Sequence, residues 1–195
     1  MWLWRKFHRL STVRIRCMTV LNFNKNYFQL FELPLGFDLD SNALGERFRQ
    51  LQGELHPDRY AGHSPTEQRI AVQYSALVNQ AYTTLRKPLS RALYLLQLAG
   101  IESQEVASQK LDGGFLIEQM EHREKLESIH DLLDPETVLS HLMTEISQSI
   151  QAHQQEFRAA FEAEDLTNAA RACVKMQYLE KLKQEAEQVE ASLFG

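Results

Sequence analysis

Apolar residues recur at helical intervals along almost the whole chain. Leu44, Phe48, Leu51 and Leu55 follow one another at gaps of 4, 3 and 4, which lays them along one face of a helix. Ile70, Tyr74, Leu77, Ala81 and Leu85 repeat at 4, 3, 4 and 4. Polar residues and prolines set the ends. Asp40 is placed to cap the first of these helices and Pro57 to stop it. Ser64-Pro65-Thr66-Glu67 opens the second: Ser64 caps, Pro65 suits the first turn, and Glu67 reaches back as in a capping box. That helix should run to about Arg86. Before the pair, Asn26 can cap a short helix carrying Tyr27, Phe28, Leu30 and Phe31, which Pro34 ends. After it, Pro88 opens a fourth helix through Leu89, Ala92, Leu93, Leu95 and Leu96, stopped by Gly100 just past its end.

Residues 101–112 lose this periodicity and read as a linker. Three longer helices follow. One spans about Phe115 to Leu133. Asp134-Pro135 supplies a cap and a first-turn proline for the next, with Leu139, Leu142, Ile146, Ile150, Phe157 and Phe161 as its seam. The last starts near Leu166 and carries Met176, Leu179, Leu182, Ala186, Val189 and Leu193. Three helices with short connections suggest an antiparallel bundle. No alternating strand pattern and no internal repeat interrupts the series. The expected fold is all-α: a small four-helix module over residues 21–100, then a three-helix bundle over 113–195.

Composition narrows the function. The 195 residues are 44% hydrophobic and 24% charged, a globular balance. The net charge of −5 argues against nucleic acid as the main partner. No apolar run approaches the roughly 20 residues that a membrane helix needs. Cys17 and Cys173 are the only cysteines, which gives neither a disulfide framework nor a paired zinc site and points to a reducing compartment. The first 17 residues stand apart. They hold Arg5, Lys6, Arg9, Arg14 and Arg16, and no acid precedes Glu32. Two readings fit: a mitochondrial transit segment, which would place the protein in the matrix, or an over-extended start with Met18 as the true initiator, which leaves a bacterial cytoplasmic protein. The second is preferred, and residues 1–20 are set outside the fold in either case.

His56-Pro57-Asp58-Arg59 falls between the two strongest helices, at the tip of a helical hairpin. Pro57 fixes its own φ and lacks an N–H, so the turn is stiff and presents its neighbours at little ordering cost. Asp58 offers a carboxylate that a partner arginine can grip with two parallel hydrogen bonds. These residues suit recognition better than catalysis, because acid–base work needs a second positioned group and a pocket. Pro-Asp is also a common turn pair with no function at all, and the tetrapeptide alone does not decide between the two.

The helix from Phe115 carries a second signal. At about 100° per residue, Phe115, His122, Leu126, Ile129 and Leu133 share one side, which suits the bundle interior. Leu116, Ile117 and Met120 point the other way, with Glu121 and Glu124 beside them. A bundle helix needs one apolar stripe. A second, rimmed by charge, marks either a partner surface or a contact between the two modules.

These features resemble a known family. A His-Pro-Asp tip between two antiparallel helices, preceded by a short aromatic helix, is similar to the J-domain. The segment Phe115-Leu-Ile-Glu-Gln-Met-Glu-His-Arg-Glu124 closely resembles the HscB family, the J-protein co-chaperones of iron–sulfur cluster assembly. Tyr27-Phe28-x-Leu-Phe31 and Arg91-Ala-x-Tyr-Leu-Leu96 resemble it too, so the likeness spans about residues 26–195. The resemblance implies docking on a DnaK- or HscA-type ATPase chaperone through His56, Pro57, Asp58, Arg59 and Arg47, with stimulation of its ATP hydrolysis. It also implies binding of the cluster scaffold IscU through Leu116, Ile117, Met120, Glu121, Arg123, Glu124 and Tyr178. Tyr178 lies off the seam of the last helix, as a contact residue should.

Departures from the family pattern are visible. J-domains usually have a basic second helix, whereas Glu46 and Glu54 here offset Arg47 and Arg49. Some relatives carry an N-terminal zinc module with paired cysteines, and Cys17 stands alone. No cofactor and no metal is expected: Cys173 is a single thiol on a helix face, and His63, His122, His130, His141 and His153 lack ligand spacing. Two other functions stay open. A general J-protein would use the same tip to deliver other clients. An enzyme using His56 and Asp58 would need a nucleophile, a phosphate loop or a metal constellation, none of which the sequence supplies.

Overall fold

The computed structural model describes residues 24–194; the leader assigned to residues 1–20 lies outside them. Every regular element among the described residues is helical. They are α1 (Tyr27–Leu30), α2 (Ser41–Leu55), α3 (Pro57–Tyr60), α4 (Pro65–Arg86), α5 (Pro88–Leu98), α6 (Ser103–Ala107), α7 (Gly113–Glu127), a 3-10 turn (Ile129–Asp131), α8 (Pro135–Glu162) and α9 (Leu166–Phe194). The fold is all-α as expected.

The chain divides into two compact units at Arg86/Lys87. In the first, α1, α2 and α3 pack against α4. The core is Phe28, Leu30, Phe31, Leu44 and Leu55 against Ala71, Tyr74, Val78, Ala81 and Leu85. The buried stripe of α4 is thus shifted slightly from the predicted one: Ile70 and Leu77 sit at its edge and Ala71 and Val78 at its centre. Outside the core, the Phe48 and Tyr82 rings stack at 3.9 Å, tying α2 to α4. The caps are those the sequence calls for. Asn26 and Gln29 form a capping box, Asp40 Oδ1 accepts from the Asn42 and Ala43 amides, and Ser64 and Glu67 bond reciprocally.

The second unit is larger than a three-helix bundle. Helix α5, expected in the first module, falls within it, and α9 packs against α5 and α6 as well as α7 and α8. Pro88 breaks the chain after α4 and turns α5 onto α9, where Ala92, Leu95 and Leu96 are fully buried. Gly100 takes φ +89°, and Ile101 N–H donates to Leu96 O at 2.9 Å, the bond that closes a glycine-terminated helix. The stretch read as a linker holds α6, a single turn whose Val106 is buried. A lone buried apolar residue carries no period, so the sequence pattern could not show it. One core cluster of this unit joins Phe115, Leu126 and Ile129 to Leu139, Leu142, Ile146 and Ile150 of α8 and Leu179, Leu182 and Ala186 of α9.

The helix predicted to reach Leu133 stops at Glu127. Ser128 Oγ donates to Glu124 O at 2.9 Å and the chain tightens into the 3-10 turn. Ile129 still points inward, but Leu133 is fully exposed, because an angle extrapolated at α-helical pitch fails beyond the break.

Candidate functional site

Two surfaces carry the residues singled out by the sequence, one in each unit. The first is the His-Pro-Asp tip. His56 is extended (φ −57°, ψ 131°), as a residue before proline must be. Pro57 then does more than end α2: it opens the one-turn helix α3 in the first-turn position that suits it. Arg59 N–H donates to His56 O at 3.0 Å. His56 Nδ1 lies 3.4 Å from the Asp58 amide and 3.5 Å from Asp58 Oδ2. The imidazole therefore folds over the start of α3, its Nδ1 accepting from the Asp58 amide, while the Asp58 side chain remains 90% exposed. Because α3 packs on α4, the carboxylate stands on a braced turn. Arg59 is exposed next to it. Arg47, on α2, pairs with Glu32, which neutralises part of a charge already thin on that helix.

The second surface is built on α7. Phe115, Gln119, His122 and Leu126 are buried, while Leu116, Ile117 and Met120 are 40%, 59% and 61% exposed. The two-sided pattern is therefore real. Glu121 and Glu124 are exposed at the rim, and Arg123 is half-buried with its Nε 3.4 Å from Glu185 Oε2 of α9. Tyr178, 40% exposed on α9, meets the edge of the Phe115 ring at 6.3 Å. The pairs Asp112–Lys175, Phe115–Tyr178 and Arg123–Glu185 advance in step, so α7 and α9 run parallel, as the first and third helices of an up-down-up bundle must. Tyr178 is thereby held against Phe115, the residue that precedes the exposed stripe of α7 in the chain.

Gln119 escaped the sequence reading. It is 3% exposed, and neither its Nε2 nor its Oε1 finds a hydrogen-bond partner among the described residues. Its 4-3-4 spacing with Phe115, His122 and Leu126 was the available signal, hidden because the residue is polar. His122 is buried with Nε2 3.8 Å from Glu145. Burial pushes the Cys173 thiol up to about 12, so it stays protonated and is packing rather than chemistry. No group of three or more His, Cys, Asp or Glu among the described residues could hold a metal ion, and no described helix is long and apolar enough to cross a membrane.

A helical hairpin with a His-Pro-Asp tip, followed along the chain by a helical bundle with an exposed apolar stripe, is an arrangement that known proteins share. A family model, the HscB C-terminal oligomerisation domain, matches residues 111–187. A relative from Shewanella loihica, named co-chaperone protein HscB homolog, is 40% identical over 172 residues, covering 87% of this chain and 99% of its own. Chaperone HscB from Vibrio cholerae superimposes with a TM-score of 0.79 at 40% identity, over 87% of this chain and 99% of that one. Human co-chaperone protein HscB does so with 0.80 at 33% identity, over 87% and 84%. The chain belongs to the HscB co-chaperone family.

Proposed function

We propose that this chain is an adaptor that brings an iron–sulfur scaffold protein of the IscU type to an ATPase chaperone of the DnaK or HscA type. The observation that carries the reading is the exposure of Leu116, Ile117 and Met120 on a helix whose opposite face is already core. An apolar patch with charged edges suits a specific protein partner. The scaffold would seat on these side chains and Tyr178, with Glu121, Arg123 and Glu124 at the rim.

The tip supplies the other half. Asp58, held forward on α3, offers its carboxylate to a basic group of the ATP-bound chaperone, with His56 and Arg59 framing it and Arg47 adding charge on α2. Chaperone docking there would stimulate ATP hydrolysis, and the chaperone would tighten on the scaffold and promote passage of its cluster to recipient proteins. The cluster is cargo throughout, and the chain makes and breaks no covalent bond. Because one molecule holds both partners, capture of the scaffold by the chaperone becomes effectively intramolecular. The bacterial relatives support a bacterial cytoplasm as its place.

The test is the steady-state ATPase rate of purified chaperone with this chain alone, scaffold alone, and both. The expected result is a rate with both that exceeds the sum of the separate effects. A rate with both no higher than with the chain alone, or equal stimulation by unrelated unfolded polypeptides, would overturn the scaffold assignment.

A further inference from the structure

The exposed patch is split between two helices. Leu116, Ile117 and Met120 belong to α7 and Tyr178 to α9. A partner that touches both finds a ready surface only if the start of α7 is fixed against α9, since any play there must be frozen out on binding. The start of α7 is intrinsically weak. It opens with Gly113-Gly114, the pair of residues that loses most backbone freedom on entering a helix. A Cβ at Gly113 would meet nothing within 4 Å and one at Gly114 only the Asp112 side chain, at 3.5 Å, so packing does not account for these glycines.

One side-chain cluster compensates. Asp112 Oδ1 accepts from the Phe115 amide at 2.8 Å, capping α7. Its other oxygen, Oδ2, lies 3.1 Å from Lys175 Nζ of α9, a lysine whose side chain is only 16% exposed. The same ammonium stands 5.4 Å from the centre of the Phe115 ring, in range of a cation–π contact. The Phe115 ring in turn meets Tyr178 of α9 and, at 5.7 Å, His153 of α8. The carboxylate thus serves two donors at once with different oxygens, and the ring beneath it is gripped from both neighbouring helices.

We propose that Asp112 and Lys175 are positioning residues for the docking surface, locking the first turn of α7 to α9 so that Leu116, Ile117 and Met120 keep a fixed spacing from Tyr178. The proposal rests on the scaffold-docking reading above. Neither residue touches the partner; both act through Phe115 and Tyr178. Lys175→Met keeps the stem and removes the charge, and Asp112→Asn keeps a capping oxygen while removing the ion pair. Stability does not discriminate, because removing one partner of a partly buried pair leaves the other charge unpaired and destabilises the fold whether or not the pair positions the docking surface.

The experiment is calorimetric titration of the iron–sulfur scaffold into the full chain and its variants, with NMR of the Tyr178 ring in the free protein. Lys175→Met and Asp112→Asn are expected to weaken binding roughly tenfold through lost preorganisation and to shift the Tyr178 ring resonances. Lys175→Arg should restore both. In a Tyr178→Ala background Lys175→Met should cost much less, because the lysine works through that ring. Leu116→Ala is the control that separates two failures. If it weakens binding while Lys175→Met and Asp112→Asn do not, the lock is wrong and the docking surface stands. If Leu116→Ala also leaves the isotherm unchanged, the docking surface itself is wrong and the lock falls with it.

Discussion

Arg123 Nε lies 3.4 Å from Glu185 Oε2, and each of the two side chains is 37% exposed. The arginine named as a scaffold contact is therefore already paired within its own unit. It joins α7 to α9 at the rim of the patch, where Leu116, Ile117 and Met120 have no such competing tie.

This pairing ranks the surface residues by expected effect. A half-exposed ion pair is worth at most about 1 kcal/mol, and a rim charge already satisfied adds little on docking. Arg123→Ala should weaken scaffold binding by less than about 1 kcal/mol. Leu116→Ala combined with Met120→Ala should cost on the order of 2–4 kcal/mol, as central apolar anchors do. Titration calorimetry with all three substitutions measures the ranking, and an Arg123→Ala loss larger than that of the double variant would invert the proposed anatomy of the patch.

Division of labour between the two surfaces gives a sharper outcome. Asp58 stands on a turn that belongs to the first unit, and the patch belongs wholly to the second. Asp58→Ala removes an exposed carboxylate without opening a cavity, so the fold should be untouched. It should abolish stimulation of the chaperone ATPase and leave the scaffold isotherm as it was. A fall in scaffold affinity with normal ATPase stimulation would refute the assignment of roles.

Much of this architecture was written in side-chain periodicity. The helical-period stripes of α2 and α8 were correct because each of these helices buries one face, and that of α9 is right as far as it goes, although Ala169, Ala170, Ala172, Cys173 and Val174 are buried as well on a helix that α5 and α6 also meet. The exposed stripe Leu116-Ile117-Met120 was legible for the same reason: once Phe115, His122 and Leu126 fill the buried face of α7, three further apolar residues stand out against the acids around them. What stayed hidden were tertiary effects. Leu89, Leu93 and Leu95 mark α5 as apolar, yet nothing local says it packs on α9 rather than on the hairpin that precedes it. Asp112 reads as one more polar residue in an aperiodic stretch until Lys175, 63 positions away in the chain, is brought to its carboxylate. Gln119 breaks the rule that buried positions are apolar, and the break at Ser128 depends on a local hydrogen bond that a fixed helical angle ignores.

Acid sensitivity follows from the caps. Asp112, Asp134 and Asp165 each accept from an amide in the first turn of their helix, and all three carboxyls lie below their ordinary value of 3.8, Asp112 and Asp165 first through those amide bonds and Asp134 first through the Thr137 side chain and then the Thr137 amide. The native state therefore binds fewer protons than the unfolded chain between the lowered values and 3.8. The stability they contribute is fully present above that pH and is lost as pH falls through the native values. The triple variant Asp112→Asn, Asp134→Asn, Asp165→Asn keeps a capping oxygen at each site but cannot titrate. Its urea midpoint should fall less than that of the unaltered chain as pH drops through this window. An equally steep fall in both would show that other carboxylates set the acid limb.

The hairpin that presents the tip carries a removable weakness. Gly53 lies in the last turns of α2, is exposed, and a Cβ there would meet nothing within 4 Å. Its φ is an ordinary helical one, so no backbone need accounts for a glycine. Replacing it by alanine restricts the unfolded chain and should stabilise the first unit by about 0.5–1 kcal/mol, read as a higher denaturation midpoint with an unchanged slope. The substitution also tests the tip, which begins three residues later. If only Asp58 and its neighbours engage the chaperone, Gly53→Ala should stimulate ATP hydrolysis as well as the unaltered chain does. A more stable variant with weaker stimulation would mean that the chaperone approaches the backbone of α2 at Gly53, extending the docking surface one turn up the helix and giving the glycine a functional reason to be there.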